Sequence, residues 1–236
     1  MGKQIRICAV SDMHGRLEGL DPSGCDICVI AGDFSRQTGF GRWSMREQRD
    51  WIHDEFFEWT GKFPETYFVV IAGNHDLCLD SAMTARYSGF SWKIEWPENV
   101  KYLCDSGVNV AGISFYGTPW VPTINHRWAF EADSEKLKRK FAGIPARIDV
   151  LVSHAPPRLP GYLGDVSLEY GADSEKFGSS ELASELFNKK PGRVFCGHIH
   201  SGSHEPFLFD DVVVQNVSRV NESYEVRYEP AFAVFG

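Results

Sequence analysis

The sequence contains no long hydrophobic run and no N-terminal segment typical of export. Its first residues, MGKQIRICAVSDMHG, hold only a short apolar run before polar residues return. A signal peptide has a longer apolar region and a small-residue cleavage site. No apolar stretch reaches the roughly 20 residues that a membrane-spanning helix needs. We therefore expect a cytoplasmic protein with no membrane partner.

An excess of positive charge is also missing. The chain has 24 Lys and Arg against 32 Asp and Glu, so its formal net charge is -8. Binding to a polyphosphate backbone without sequence preference requires clustered Lys and Arg, which makes long nucleic acid a poor substrate candidate. Hydrophobic residues make up 43% of the chain, enough for a substantial core, so we expect a soluble globular protein. The sequence leaves the oligomeric state open.

The cysteines do not form the pattern of a disulfide framework. They are scattered, and several lie within apolar runs, which favours reduced, buried thiols. Cys25 and Cys28 form one C-x-x-C pair, but no second pair accompanies it and Cys28 enters the apolar run CVIAGD. Packed thiols are therefore expected there, with a metal or redox role as the alternative.

No internal repeat or low-complexity tract divides the chain, and its length suits one α/β domain over residues 1–236. In the first half, polar helix-like stretches separate the apolar runs IRICAV, ICVIAG and YFVVIAG. This alternation is typical of β–α–β units. The helix before the third run is predicted to begin at Ser44, because Ser44 and Glu47 form a capping-box pair, and to end near Gly61.

The second half of the chain combines shorter strands with two helices. Strands are predicted in VKYLCD, VNVAG, ISFYGTPW, DVLVSH and RVFCGHIH, and antiparallel hairpins in FLFDDVVVQNVS and SYEVRYE. The helices are expected at 133–141 and 179–188. Residues 155–180 are rich in Gly and Pro, which indicates a functional loop.

Polar residues of metal-binding types stand where five of the apolar runs stop. Ligands of an α/β sheet bind beyond the carboxyl ends of its strands, so these segments are expected to converge there on one site. The residues are Asp12 and His14, Asp33, Asn74 with His75 and Asp76, His154, and His198 with His200.

Several imidazoles, two carboxylates and a side-chain amide oxygen supply nitrogen and oxygen ligands without thiolate. Such ligands suit Mn, Fe, Zn, Co or Ni. Seven ligands exceed the needs of one tetrahedral ion and support two ions that share a carboxylate. Asp33, alone on its loop, is the candidate for that bridge.

Each segment also has a purely structural explanation. Asp12 or Asp33 is suited to a helix cap or turn, and GNHD to a tight turn. His154 is compatible with an ordinary buried imidazole, and so is the pair His198 and His200. The functional interpretation depends on all five segments occurring together, in this order and at strand ends.

Five motifs, taken in order from Asp12 to His200, resemble those of the calcineurin-like metallophosphoesterase superfamily. They are SDMHG, AGDF, AGNHD, SHAPP and GHIH. Five longer segments further resemble its metallophosphoesterase-domain branch, the brain-type, class III phosphodiesterase-like proteins. They are FYGTPWVP, HRWAF, IPARIDVLVSHAPP, CGHIHSG and QNVSRVNESYEV. Some animal members of that branch have lost a metal-site histidine. All of the expected positions are filled in this sequence.

The resemblance implies a role for each of these positions. One ion would be held by Asp12, His14 and His200, and Asp33 would bridge to a second ion held by Asn74, His154 and His198. His75 would face the substrate as an acid or hydrogen-bond donor, with Asp76 orienting it as a His–Asp pair. His75, Asp76 and Asn74 therefore form the expected catalytic set.

Other residues near the motifs are candidates for substrate binding. Phe34, Trp120 and Tyr162 are candidates for a wall on which a nucleobase stacks, with ordinary packing as the alternative. Arg36 and Arg158 are candidates for attracting phosphate or are solvated loop arginines. Arg36 does not match the arginine of the protein-phosphatase motif GDxxDRG, which disfavours a phosphoprotein phosphatase.

Three histidines fall outside the motifs. His53 is expected on the surface of its helix and His204 on the protein surface. His126 follows a Trp and a Pro, so it either borders the cleft or packs within its loop.

The expected fold is a four-layer α/β/β/α sandwich of two mixed β-sheets flanked by helices. The expected function is a binuclear metal-dependent phosphoesterase, in which a hydroxide bridging the ions attacks phosphorus in line. Its substrates would be small phosphate esters or nucleotides, with cyclic phosphodiesters leading by analogy. Phosphomonoester or nucleotide pyrophosphate hydrolysis at the same site, and a non-catalytic scaffold, are the alternatives.

Overall fold

A computed structural model of the protein describes residues 4–88, 93–160 and 177–236. The first sheet has five strands in the order β13–β1–β2–β3–β4, with β1 to β4 parallel and β13 antiparallel to β1. The strands are β1 Ile5–Val10, β2 Ile27–Ala31, β3 Tyr67–Ile71, β4 Val100–Leu103 and β13 Ala231–Phe235.

The second sheet has six strands in the order β11–β12–β10–β9–β6–β5, of which β12, β10, β9 and β6 are parallel. The strands are β5 Ser106–Val110, β6 Ile113–Thr118, β9 Val150–Ser153, β10 Arg193–Cys196, β11 Phe207–Phe209 and β12 Val212–Asn216. A short parallel pair, β7 Val121–Pro122 and β8 Glu131–Ala132, follows the end of β6.

Alternating side chains of the buried strands form two separate cores. In β1, Ile7 and Ala9 belong to a cluster that also contains Val150 and Phe195 of the second sheet. The intervening Cys8 lies in the other cluster, which contains the apolar faces of the helices. Because successive side chains of a strand point to opposite faces, each sheet is covered by the other sheet on one side and by helices on the other. The expected α/β/β/α layering is confirmed.

The helices that cover the sheets are short. They are α1 Arg42–Trp51, α2 Phe57–Gly61, α3 Ser81–Ser88, α4 Ser134–Ala142 and α5 Ser180–Lys189, with a π-helical segment Ile52–Phe56 that joins α1 to α2 and a 3₁₀ turn at Leu77–Leu79. The predictions for α4 and α5 are confirmed within one residue. Asp133 and Ser179 cap them, accepting hydrogen bonds from backbone N–H groups three residues on.

The predicted start of the first helix was wrong. The helix begins at Arg42 after Gly41, and no side chain caps its N-terminus, so the capping box of Ser44 and Glu47 does not form. Gly41 adopts φ 107°, a backbone conformation open to glycine that allows the chain to enter the helix two residues early.

The C-terminal segment also differs in part from the prediction. The hairpin of β11 and β12 is confirmed. The second predicted hairpin is reduced to one antiparallel bridge between Val220 and Val226. The chain then continues to β13, which pairs with β1 in the opposite sheet. The hydrophobic residues of β13 form the edge strand of the first sheet, a placement that depends on long-range pairing with β1.

The cysteines are unpaired thiols, as expected. Cys25 and Cys28 are both buried, and only Cys104 is exposed. Across the described residues, none of the helices combines the length and the apolarity needed to cross a membrane.

The close contact between the sheets yields a first prediction. A methyl group at Gly117 of β6 would lie 2.5 Å from both Ile71 Cγ2 and Leu103 Cβ of the first sheet. We expect Gly117→Ala to lower the free energy of unfolding by about 1–3 kcal/mol through overpacking. Gly61→Ala is the matched control, since a methyl group there meets no atom within 4 Å. Urea denaturation measures both, and equal midpoints would contradict the prediction.

Candidate metal centre

The five polar segments meet at one place, between the carboxyl ends of β1, β2 and β3 of the first sheet and of β9 and β10 of the second. His200 Nε2 lies 3.3 Å from Asp12 Oδ1 although the residues are 188 positions apart. His154 Nε2 lies 3.3 Å from Asp33 Oδ2, across the two sheets. The convergence predicted from the strand ends is therefore present.

One group of possible ligands consists of Asp12, His14 and His200, which offer ligand atoms within 4.8 Å of one another. The two Nε2 atoms of the histidines are 3.5 Å apart. Burial lowers the pKa of His14 to about 3, so this imidazole is neutral and presents a lone pair. Two facing imidazole nitrogens beside a buried carboxylate suit a divalent cation.

A second group consists of Asp12, Asp33 and His154, and Asp12 is common to both groups. Asn74 joins this group, because its Oδ1 lies 3.0 Å from His154 Nε2. The ring of His198 packs edge-on against that of His154, with centroids 5.2 Å apart. Asn74 and His198 thus lie beside the second group, as expected.

The outer nitrogens of two histidines are fixed by backbone carbonyl groups. His154 Nδ1 lies 2.9 Å from the carbonyl oxygen of Ala31, and His200 Nδ1 lies 3.2 Å from that of Asn221. When each Nδ1–H donates there, Nε2 is left as the ligand atom. His14 Nδ1 has no hydrogen-bond partner within the described part of the chain.

Asp12 is held by hydrogen bonds from distant segments. Its carboxylate accepts the Ser218 hydroxyl at 2.8 Å and the backbone N–H of His198 at 3.0 Å from Oδ2. These donors fix the orientation of the carboxylate without neutralising its charge.

Four of the candidate ligands share an unusual backbone conformation. Positive φ angles are found at Asp12 (53°), His14 (47°), Asp33 (50°) and His198 (70°). Each non-glycine residue in this region costs on the order of 1–3 kcal/mol, and such strain is concentrated at functional sites. The strained turns aim these side chains from the strand ends toward one centre.

Without metal, the buried negative charge of the site is compensated by a protonated histidine. Burial disfavours the charged forms of Asp33 and His154, but the attraction between them outweighs it. This attraction holds the pKa of Asp33 well below its usual range and raises the pKa of His154 to about 9. Burial lowers the pKa of His198 to about 3. His154 is thus the protonated imidazole that compensates the buried carboxylate.

The expected His75–Asp76 pair does not form. Asp76 Oδ1 accepts hydrogen bonds from the backbone N–H and the hydroxyl of Ser35, and Oδ2 accepts from Gly73 N at 2.8 Å. Burial, together with the nearby charge of Asp33, raises the pKa of Asp76 to about 6. Asp76 therefore links the loop that contains Ser35 to the loop that contains Gly73, and it does not orient the ring of His75.

His75 itself is positioned by other contacts. Its backbone N–H donates to Asp33 Oδ1 at 2.7 Å, and its carbonyl oxygen accepts from Gln48 Nε2 at 2.6 Å. Its ring packs against Trp128, with centroids 4.1 Å apart, while Nε2 lies 4.0 Å from Asp33 Oδ2. The imidazole is therefore held at the edge of the candidate metal site.

A cavity of about 390 Å³ opens above these residues. Its floor contains Asp33, Asn74, His75, His198 and His200, and the remaining wall is mostly apolar or uncharged. That wall consists of Gln37, Ile124, Trp128, Phe177, Ile199, Ser201, Glu222 and Tyr224.

Phe34 and Trp120, two of the three aromatic residues proposed for stacking, do not line this cavity. Phe34 is fully buried against Trp51 and Phe56. Trp120 is buried, donates to Asp105 Oδ2 at 2.8 Å and packs beneath Lys136. Both are packing residues, which was the alternative interpretation. Tyr162 lies outside the described residues.

The arginines do not face the cavity either. Arg36 forms an ion pair with Glu55 at 2.7 Å on the outer surface of the helix, and Arg158 is exposed. His53 and His126 are also exposed, as expected for His53. His204 lies partly exposed at the surface, where its ring stacks on that of Tyr228 with centroids 3.6 Å apart.

Sequence reasoning missed the residues that complete the cavity wall. Trp128 belongs to HRWAF and Tyr224 to QNVSRVNESYEV, two segments that carry the branch resemblance. Neither is a metal-ligand type or stands at a strand end, so the strand-end pattern had no means of finding them.

The sequence model of the calcineurin-like phosphoesterase family matches residues 5–202. The chain is 33% identical over 215 residues to metallophosphoesterase domain-containing protein 1 of Homo sapiens and of Mus musculus. These alignments cover 84% of this chain, which spans 61% of the length of those relatives. A UPF0046 protein of Caenorhabditis elegans is 29% identical over 238 residues, which is 96% of this chain and 79% of that protein.

Two solved structures share the fold. TT1561 of Thermus thermophilus superposes with a TM-score of 0.57 at 13% identity, covering 97% of this chain and 99% of that one. Phosphopantetheinyl hydrolase of Mycobacterium tuberculosis superposes with a TM-score of 0.55 at 18% identity, covering 95% of this chain and 92% of that one. The family match over most of the chain shows that the protein belongs to the calcineurin-like phosphoesterases, a family of metal-dependent phosphoesterases.

Proposed function

We propose that this protein hydrolyses small phosphodiesters at a centre of two divalent metal ions. The observation that carries the proposal is the convergence of two overlapping ligand groups beneath a single cavity. In the proposed site, Asp12, His14 and His200 would hold one ion, Asn74, His154 and His198 would hold the other, and Asp33 would be shared between them. When bound, such ions neutralise phosphate oxygens and lower the pKa of a coordinated water.

The donor set supports more than one ion. It provides four imidazoles, two carboxylates and one amide oxygen, whereas a tetrahedral ion takes four ligands. The set contains no thiolate, which favours Mn, Fe, Co, Ni or Zn, with manganese our first choice. The buried free thiols suit a reducing compartment, so we place the protein in the cytoplasm.

His75 is proposed to act on the leaving group. Its imidazole borders the cavity beside Asp33 and has no role in the two ligand groups. As a neutral ring it can donate a hydrogen bond to a phosphate oxygen, and only as a protonated ring can it donate a proton to the departing alkoxide. Trp128 restricts the ring to this position by packing against its face.

The charge of the cavity wall supports a diester over a monoester or pyrophosphate. None of the described residues that line it is Lys or Arg, and Glu222 places a carboxylate there. A diester carries one negative charge at neutral pH, whereas monoesters and pyrophosphates carry more and are repelled more strongly by that carboxylate. The apolar wall with Gln37 suits a nucleoside, so cyclic nucleotides are the leading substrates.

A substrate panel tests this assignment. Chelator-stripped protein with added Mn²⁺ is expected to hydrolyse bis(4-nitrophenyl) phosphate and 2′,3′-cyclic AMP with higher kcat/KM than 4-nitrophenyl phosphate. Without metal, hydrolysis should be lost. A preference for the monoester would replace the diesterase with a phosphomonoesterase. Absence of metal binding, with no activity on any ester, would favour the scaffold.

Two substitutions separate metal binding from turnover. His75→Ala should lower kcat by about 100-fold, in the range typical of a lost general acid, while the bound metal measured by mass spectrometry stays unchanged. Asp33→Asn should lower both, because this proposed metal ligand loses its charge. If His75→Ala also lost its metal, the proposed role on the leaving group would be wrong.

Metal affinity should increase with pH. Metal-free His154 has a pKa of about 9, so at neutral pH an incoming ion must displace its proton. For each proton displaced, affinity should rise about tenfold per pH unit up to pH 9 and level off above it. Competition with a chelating dye from pH 6.5 to 9.5, corrected for the dye's own protonation, measures this slope. A flat profile would contradict it.

A further inference from the structure

Tyr224 occupies a central position above the candidate metal site. Its ring centroid lies 4.9 Å from that of His14, 5.1 Å from that of His200 and 6.4 Å from that of His75. The residue lines the cavity together with Gln37. A phenol thus borders the same space as the proposed catalytic histidine.

The turn that presents Tyr224 is fixed by hydrogen bonds. Asn221 Oδ1 accepts from the backbone N–H groups of Ser223 at 3.0 Å and Glu225 at 2.9 Å. The backbone N–H of Tyr224 donates to the carbonyl oxygen of Asn221 at 2.9 Å. Tyr224 adopts φ 60° within this turn, a strained conformation for an aromatic residue. The turn maintains it over the site and away from the outer surface.

The same turn supports one of the metal-site histidines. The carbonyl oxygen of Asn221 that accepts from Tyr224 also lies 3.2 Å from His200 Nδ1. The position of the phenol and the orientation of His200 are therefore set by one short segment.

Phosphate needs hydrogen-bond donors above the metal ions, and the cavity has few. Since Lys and Arg are missing from the described lining residues, uncharged groups must donate there. A tyrosine hydroxyl is both donor and acceptor, and it remains protonated at neutral pH.

We propose that Tyr224 is a catalytic residue that contacts the substrate, donating its phenolic O–H to a non-bridging oxygen of the phosphodiester. This inference rests on the proposed phosphodiesterase function. In the transition state, negative charge grows on these oxygens, so the hydrogen bond strengthens as the reaction proceeds. The packing of the ring against His14 and His200 keeps the donor in place beforehand, which limits the cost of reorganisation.

Tyr224→Phe removes the hydroxyl and keeps the ring and its packing. We expect kcat/KM on bis(4-nitrophenyl) phosphate to fall by about 10- to 100-fold, as for other single donors to a charged transition state. Calorimetry with inorganic phosphate and the Mn²⁺-loaded protein should show affinity about tenfold weaker, a readout that does not depend on turnover. Metal content and the circular dichroism spectrum should be unchanged.

Tyr228→Phe is the matched control, because Tyr228 stacks on His204 and does not line the cavity. It should remain within twofold of the unsubstituted protein in both assays. If Tyr224→Phe did the same, the contact with substrate would be refuted. Loss of metal in Tyr224→Phe would also overturn it, by assigning the residue to support of the metal site. An inactive unsubstituted protein would refute the proposed function, while phosphate affinity would still decide the role of Tyr224.

Discussion

The structure depends on burying two carboxylates, Asp12 and Asp33, in one place. Both are almost fully excluded from solvent, where an uncompensated negative charge is highly unfavourable. Protonated His154 and the hydrogen-bond donors Ser218 and His75 N–H offset part of that cost in the absence of metal. Divalent cations are the natural partners for the rest. The same charges that make the site unfavourable to build therefore favour the binding of a divalent cation.

This electrostatic demand explains the backbone around it. The ligands leave their strands through turns with positive φ, and neighbouring loops approach closely enough that a methyl group at Gly32 would lie 2.5 Å from His154 Nδ1. Asp76 and Asn221 each hold such a loop through several backbone N–H groups. The two packed sheets supply the rigid support, since their parallel strands end together at this edge.

The residues that surround the candidate ligands decide how the site is used. Asn221 orients His200 and shapes the turn that presents Tyr224, and Trp128 restricts His75. These residues come from loops far from the metal-site motifs in the chain. They determine the shape and charge of the cavity.

The sequence by itself determined the strand-end residues and the parallel strands that precede them, because these follow from local hydrophobic pattern and ligand chemistry. It also determined the family, through the resemblance of its ordered motifs. It left open whether Phe34 and Trp120 pack or line the cavity, and it did not predict the early start of the helix at Arg42, the placement of β13 beside β1, or the partners of Asp76. Each of these depends on which distant groups fill the remaining space and hydrogen-bonding positions. Adjacency in the chain suggested that Asp76 serves His75, but only tertiary structure decided that Ser35 and Gly73 are its partners. Their backbone N–H groups needed a buried acceptor, and Asp76 was the side chain within reach.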